Sequence, residues 1–88
     1  MTQIERITAM EAALDQVLDA AREMKRARAR FEAAHEAYEA LSAYYGSADW
    51  QQDYADDEAG RLPAGLKRGV LSEDGAWNAL TEYRDLRK

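Results

Sequence analysis

The residues whose types and spacing come nearest to a reactive site are Glu32, His35 and Glu39. Glu32-Ala33-Ala34-His35 has the Glu-x-x-His spacing of di-iron helical bundles, in which both side chains project from one helix face. Glu39, one turn further along, could join them. A complete di-iron site needs two such motifs and two more glutamates. A dimer would double the motif, and Glu73 or Glu82 could add a carboxylate. His35 is the only histidine, and a histidine flanked by glutamates is more often a solvated pair or an interface residue. These three residues are therefore retained as metal-ligand candidates, with no metal and no cofactor assigned. A metal-binding helical dimer stands third among the functions weighed below.

The other chemistry-bearing groups lead away from catalysis. Asp49, Asp53, Asp56, Asp57 and Glu58 form an acidic run, but it lacks the alternating oxygen ligands and central glycine of a calcium-binding helix–loop–helix. Nothing around them suggests a pocket that would shift a carboxyl pKa for acid–base work. The chain has no cysteine, which removes disulfides, thiolate catalysis and thiolate metal sites. No serine sits in a nucleophile elbow and no glycine-rich loop follows a strand. The sequence thus assigns no catalytic residue, no small-molecule substrate and no enzyme activity.

A basic run is the remaining chemical signal. Arg22, Lys25, Arg26, Arg28 and Arg30 are interrupted by one acid, Glu23. Arg22, Arg26 and Arg30 are spaced by four, so they share a helix face and repel one another. They could meet phosphate, which makes a nucleic-acid-associated regulator the alternative function. The net charge of −5 makes the whole chain a poor generic partner for nucleic acid or anionic membrane. The acidic connector of this chain or of a second subunit is the preferred partner of the run.

These residues are positioned by an all-α architecture. Residues 2–45 contain no proline or glycine and are filled with strong helix formers. Thr2 followed by Glu5 is a capping box at the start, and Gly46 can take the left-handed conformation that ends a helix. One long helix over about 2–45 is predicted, about 65 Å in length. Ile7, Met10, Leu14, Val17, Ala21, Met24, Arg28, Phe31, His35, Tyr38, Ser42 and Tyr45 alternate at spacings of three and four, the seam of a coiled coil or helical hairpin. Arg28, His35 and Ser42 are its polar exceptions. Ala13, Ala20, Ala27 and Ala34 recur every seven residues; the line marks a close helix contact, or merely reflects how common alanine is in helices.

After Gly46, Ser47 is expected to cap a short connector helix over about 47–57, with Trp50 and Tyr54 on one face. Gly60, Pro63, Gly65 and Gly69 then enforce an irregular segment, anchored by Leu62, Leu66, Val70 and Leu71. Ser72 is expected to cap a last helix over about 72–87, with Ala76, Trp77, Leu80, Tyr83 and Leu86 as its apolar face, folding back on the long helix. Gly75 costs about 1 kcal/mol against alanine within a helix, and close packing against another backbone would explain it. Residues 31–60 hold eight acids and no base, so Arg61, Lys67 or Arg68 is expected to approach them.

The blocks Tyr44-Tyr45-Gly46-Ser47-Ala48-Asp49-Trp50, Leu62-Pro63 and Gly69-Val70-Leu71-Ser72-Glu73-Asp74 resemble those of a family of short bacterial proteins, domain of unknown function 4298. The likeness covers nearly the whole chain, and its last block is the more specific. Gly75 departs from the helix former expected after that block. The resemblance implies a helical fold and a bacterial or phage origin, and it carries no activity. Read from the residues themselves, the blocks are corner fillers and caps.

With 88 residues, a single helical domain over 1–88 is expected. No apolar run reaches the roughly 18 residues that span a bilayer, and MTQIERITAMEAA lacks the layout of a signal peptide, so the expected location is cytoplasmic, without membrane association. The residues after 45 cannot cover a helix so long, and an exposed apolar stripe usually finds a partner. The leading function is a small helical protein–protein interaction or homodimerisation module. Its predicted face is Ile7, Leu14, Ala20, Ala27, Phe31, Ala34 and Tyr38.

Overall fold

A computed structural model describes residues 2–88; the side chain of Glu73, named above as an additional carboxylate, lies outside the described set. The described residues form four α-helices and one 3₁₀ turn, with no strand among them: α1 Gln3–Ala33, α2 His35–Tyr44, α3 Ala48–Glu58, the turn Gly69–Leu71, and α4 Glu73–Leu86. The chain divides into two compact units, the first ending at Ala34 and the second running from His35 to Lys88.

The first unit is α1. At its start the Thr2 backbone is extended, and its hydroxyl accepts from the Glu5 backbone N–H at 3.1 Å. The same hydroxyl donates to Glu5 Oε1 at 2.9 Å, so the expected box closes side chain to side chain. No residue of α1 is buried. At ~1.5 Å per residue its 31 residues extend about 46 Å.

The helical stretch expected over 2–45 is therefore present as two helices separated by one turn residue, Ala34. Its ψ of −9° departs from the helical value of about −42°. No proline or glycine marks the place. The change coincides with the point at which side chains acquire tertiary partners, since Tyr38 of α2 stacks on Tyr83 of α4 at 4.9 Å.

The second unit is built from capped elements. The chain leaves α2 through Gly46, with φ +79°. Ser47 then caps α3, its Oγ accepting from the Trp50 N–H at 3.1 Å. α3 ends in a Schellman motif: Arg61 N–H donates to Asp56 O at 2.9 Å and Gly60 N–H to Asp57 O at 3.0 Å, with Gly60 at φ +72°. Ser72 caps α4 by accepting from the Gly75 N–H at 3.2 Å.

The buried core consists of Trp50 from α3, Leu71 from the 3₁₀ turn and Ala76 from α4. Of the other expected anchors, Leu62 is half-buried, whereas Leu66 and Val70 are exposed. On α4, Leu80 and Tyr83 are half-buried, while Trp77 and Leu86 face solvent. A Cβ placed on Gly75 would lie 3.3 Å from Ser72 Oγ and 3.4 Å from Gly69 O. A side chain at this position would therefore press on the cap hydroxyl and lie in contact with the turn.

Candidate interaction surface

The predicted face divides between the two units. Ile7, Leu14, Ala20, Ala27 and Phe31 lie on α1 and Ala34 at its end, all in the first unit, whereas Tyr38 belongs to the second. Ile7 and Leu14 are about half exposed, at 53% and 50%. Ala20, Ala27 and Ala34 are exposed and Phe31 is half-buried. Ile4, Met10, Val17, Leu18 and Met24 add to the same uncovered apolar surface. This exposure follows from the three-and-four spacing, which gathers the large apolar groups on one stripe of a helix that buries none of them.

Within the second unit the aromatic residues knit the corner between α2 and α3. Trp50 meets Tyr45 edge-on at 5.2 Å and stacks with Tyr54 at 5.2 Å. Its indole Nε1–H donates to Val70 O at 3.0 Å, which joins α3 to the 3₁₀ turn. Tyr44 donates its hydroxyl to Asp53 Oδ2 at 2.6 Å. The phenol is pushed up to about 12, first by that hydrogen bond, then by desolvation and by the negative charges of Asp53 and Asp49.

Charge pairing closes the second unit as the blocks of acids and bases predicted. Arg61 pairs with Asp56 at 3.2 Å and Arg68 with Asp57 at 2.7 Å. Both acids come from α3 and both bases from the segment after it, so these bridges tie the irregular stretch to the helix. No such bridge is formed by Lys67 among the described residues.

The metal-ligand candidates are arranged as follows. Glu32 lies on α1, in the first unit. His35 and Glu39 form an i,i+4 pair on α2, with Nε2 to Oε1 at 2.8 Å. The Arg87 guanidinium lies against both nitrogens of the same imidazole. The ring also stacks with Tyr38 and Tyr83 at 5.9 and 6.4 Å. Among the described residues no group of three or more histidine, cysteine or acidic side chains is placed to hold a metal ion.

Two open depressions mark the second unit, and neither is legible in the sequence because each draws on three or more separated segments. The larger of the two, of about 400 Å³, is apolar and lies between Leu41 of α2, Val70 of the turn, and Ala76 and Ala79 of α4, with Lys67 also at its lining. The smaller, of about 240 Å³, is bordered by Tyr44, Asp53, Leu62, Leu66 and Arg68.

The family model described as Domain of unknown function (DUF4298) matches residues 7–88. The chain belongs to the DUF4298 family. No curated protein and no solved structure matches it. In this DUF4298 chain the blocks that carried the resemblance perform identifiable structural work. Gly46 and Ser47 make the reversal between α2 and α3, Trp50 reaches Val70, and Ser72 starts α4. No helix among the described residues is long and apolar enough to cross a membrane.

Proposed function

We propose that this DUF4298 protein is a cytoplasmic helical interaction module that associates with a second protein chain through α1, homodimerisation being the simplest form. It is a binding protein rather than an enzyme. The observation that carries this reading is the uncovered apolar stripe: Ile4, Ile7, Met10, Leu14, Val17, Leu18 and Met24 range from 41% to 77% exposed, and no residue of α1 is fully buried. Taking a half-exposed leucine-sized side chain out of water contributes roughly 1 kcal/mol, so a partner covering several of them gains a useful driving force. A helix that leaves most of its apolar stripe in water depends largely on propensity, which is marginal in water. A partner along the stripe supplies what α1 lacks.

Light scattering over a concentration series tests the reading. The expected mass is twice the 9.9 kDa of one chain. Leu14→Glu places a charge in the stripe and is expected to return the protein to monomer, with the near-ultraviolet signal of the Trp50 corner unchanged. A wild-type chain that stays monomeric at every concentration would remove homodimerisation. A salt-sensitive shift with duplex DNA or RNA, lost when Arg26 and Arg30 are replaced by glutamine, would favour the nucleic-acid role suggested by residues 22–30.

A further inference from the structure

α1 is polarised in charge along its length. Residues 3–21 carry four acids (Glu5, Glu11, Asp15, Asp19) and one base (Arg6), a net charge of −3. Residues 22–33 carry five bases (Arg22, Lys25, Arg26, Arg28, Arg30) and two acids (Glu23, Glu32), a net charge of +3. Among the described side chains of α1 the one ion pair between acid and base is Arg22 with Asp19, exposed and 3.8 Å apart. The two halves thus leave their charge for something outside the helix.

We infer that the partner of α1 is α1 of a second copy, running antiparallel, in a register that sets Leu14 opposite Met24. The inference rests on the self-association proposed above and adds its direction and register. In the seam, Ile7, Leu14, Ala21 and Arg28 occupy one core position of the heptad, and Met10, Val17, Met24 and Phe31 the other. The stated register also sets Ile7 opposite Phe31, Ala21 opposite Val17 and Arg28 opposite Met10. It overlays Gln3–Ala33 of both copies almost end to end.

The flanks agree with the core. On one side Glu11 lies by Lys25 of the second copy, and Leu18 meets its own equivalent. On the other side Ala13 lies by Ala27, and Ala20 meets its own equivalent, so the line of small residues becomes one continuous face of close approach. Arg28 points its charge toward the Glu11 that neighbours Met10. The acidic half of each helix then lies along the basic half of the other.

A parallel pair in register reverses every one of these relations. It would set −3 beside −3 and +3 beside +3, and would face Arg28 with Arg28 inside the seam. Packed helices lie about 8–10 Å apart, comparable to the ~8 Å Debye length at physiological salt, so the repulsion is not fully screened. A buried cation facing a like cation is costlier still.

The test uses the full chain, which contains no cysteine of its own. Single-cysteine variants A13C and A27C, one carrying a mass tag, are mixed and bridged with a bis-maleimide. The linker is chosen shorter than the ~21 Å separating residues 13 and 27 along a helix. The expected product is the mixed A13C–A27C dimer, in several-fold excess over either homodimer. Dominance of the A13C–A13C and A27C–A27C products would overturn the antiparallel arrangement while leaving self-association intact. A monomer by light scattering would overturn both. Independently, E11K and K25E are each expected to weaken the dimer about fivefold, the sum of two exposed charge contacts. The double variant E11K/K25E is expected to restore it; failure of that rescue would overturn the register.

Discussion

Trp50 and Tyr44 show how single side chains hold this small core. Trp50 is one of three buried residues among those described, and its Nε1–H donates to Val70 O. Trp50→Ala is expected to destabilise the second unit by about 3 kcal/mol through cavity formation, read as a lowered urea midpoint followed by far-ultraviolet circular dichroism. Trp50→Phe keeps most of the volume but strands the Val70 carbonyl, and is expected to cost about 1 kcal/mol. Tyr44 makes a pH prediction. Its phenol is held protonated to about 12 by donating to Asp53, above the ~10 of an unfolded tyrosine. The folded state therefore retains a proton that the unfolded chain releases, and this contribution to stability is complete below about pH 10 and lost as pH rises through about 12. Phenolate absorbance should show one late-titrating tyrosine, and Asp53→Asn should move it toward the ordinary value. His35, the residue most suggestive of chemistry in the sequence, is occupied by Glu39, Arg87 and two tyrosine rings.

At the scale of elements, the boundaries are made by local chemistry. Thr2, Ser47 and Ser72 each accept from a backbone N–H three residues on, and Gly46 and Gly60 supply the positive φ that follows a helix. Ser47→Ala is expected to cost about 1 kcal/mol, measured by chemical denaturation. Because α3 carries Trp50, Asp53, Asp56 and Asp57, the loss should appear across the second unit rather than as local fraying. α1 and α2 illustrate the opposite case. Nothing in residues 33–36 distinguishes them from a continuous helix, yet the elements separate at Ala34. The caps are legible because their determinants lie within three residues of each other; the interruption is not, because no proline, glycine or cap residue marks it in the sequence.

For the whole molecule, the division into two units predicts two behaviours. The second unit contains the buried residues, the aromatic corner and the Arg–Asp bridges, so its unfolding should not depend on protein concentration. α1 contains none of the core, so its helicity should depend on association. Dilution is expected to lower the helical signal at 222 nm while Trp50 fluorescence stays constant. A signal at 222 nm that stays constant on dilution would show instead that α1 is stabilised within its own chain.

The sequence by itself determined the helical class, the caps, the glycine exits and the apolar stripe of α1, because each is encoded by residues within about a turn or two of one another. The charge blocks also lead one to expect Arg61, Lys67 or Arg68 near the acids of residues 31–60; the structure pairs Arg61 and Arg68 with the acids of α3. Only the tertiary structure decided that Trp50 reaches Val70, that the His35 ring lies beside the stacked rings of Tyr38 and Tyr83, and that Leu66 and Trp77 remain exposed. Those outcomes depend on the route taken by residues 59–72. A segment of glycine, proline and capped turns leaves many directions open to local chemistry, and long-range burial selects among them.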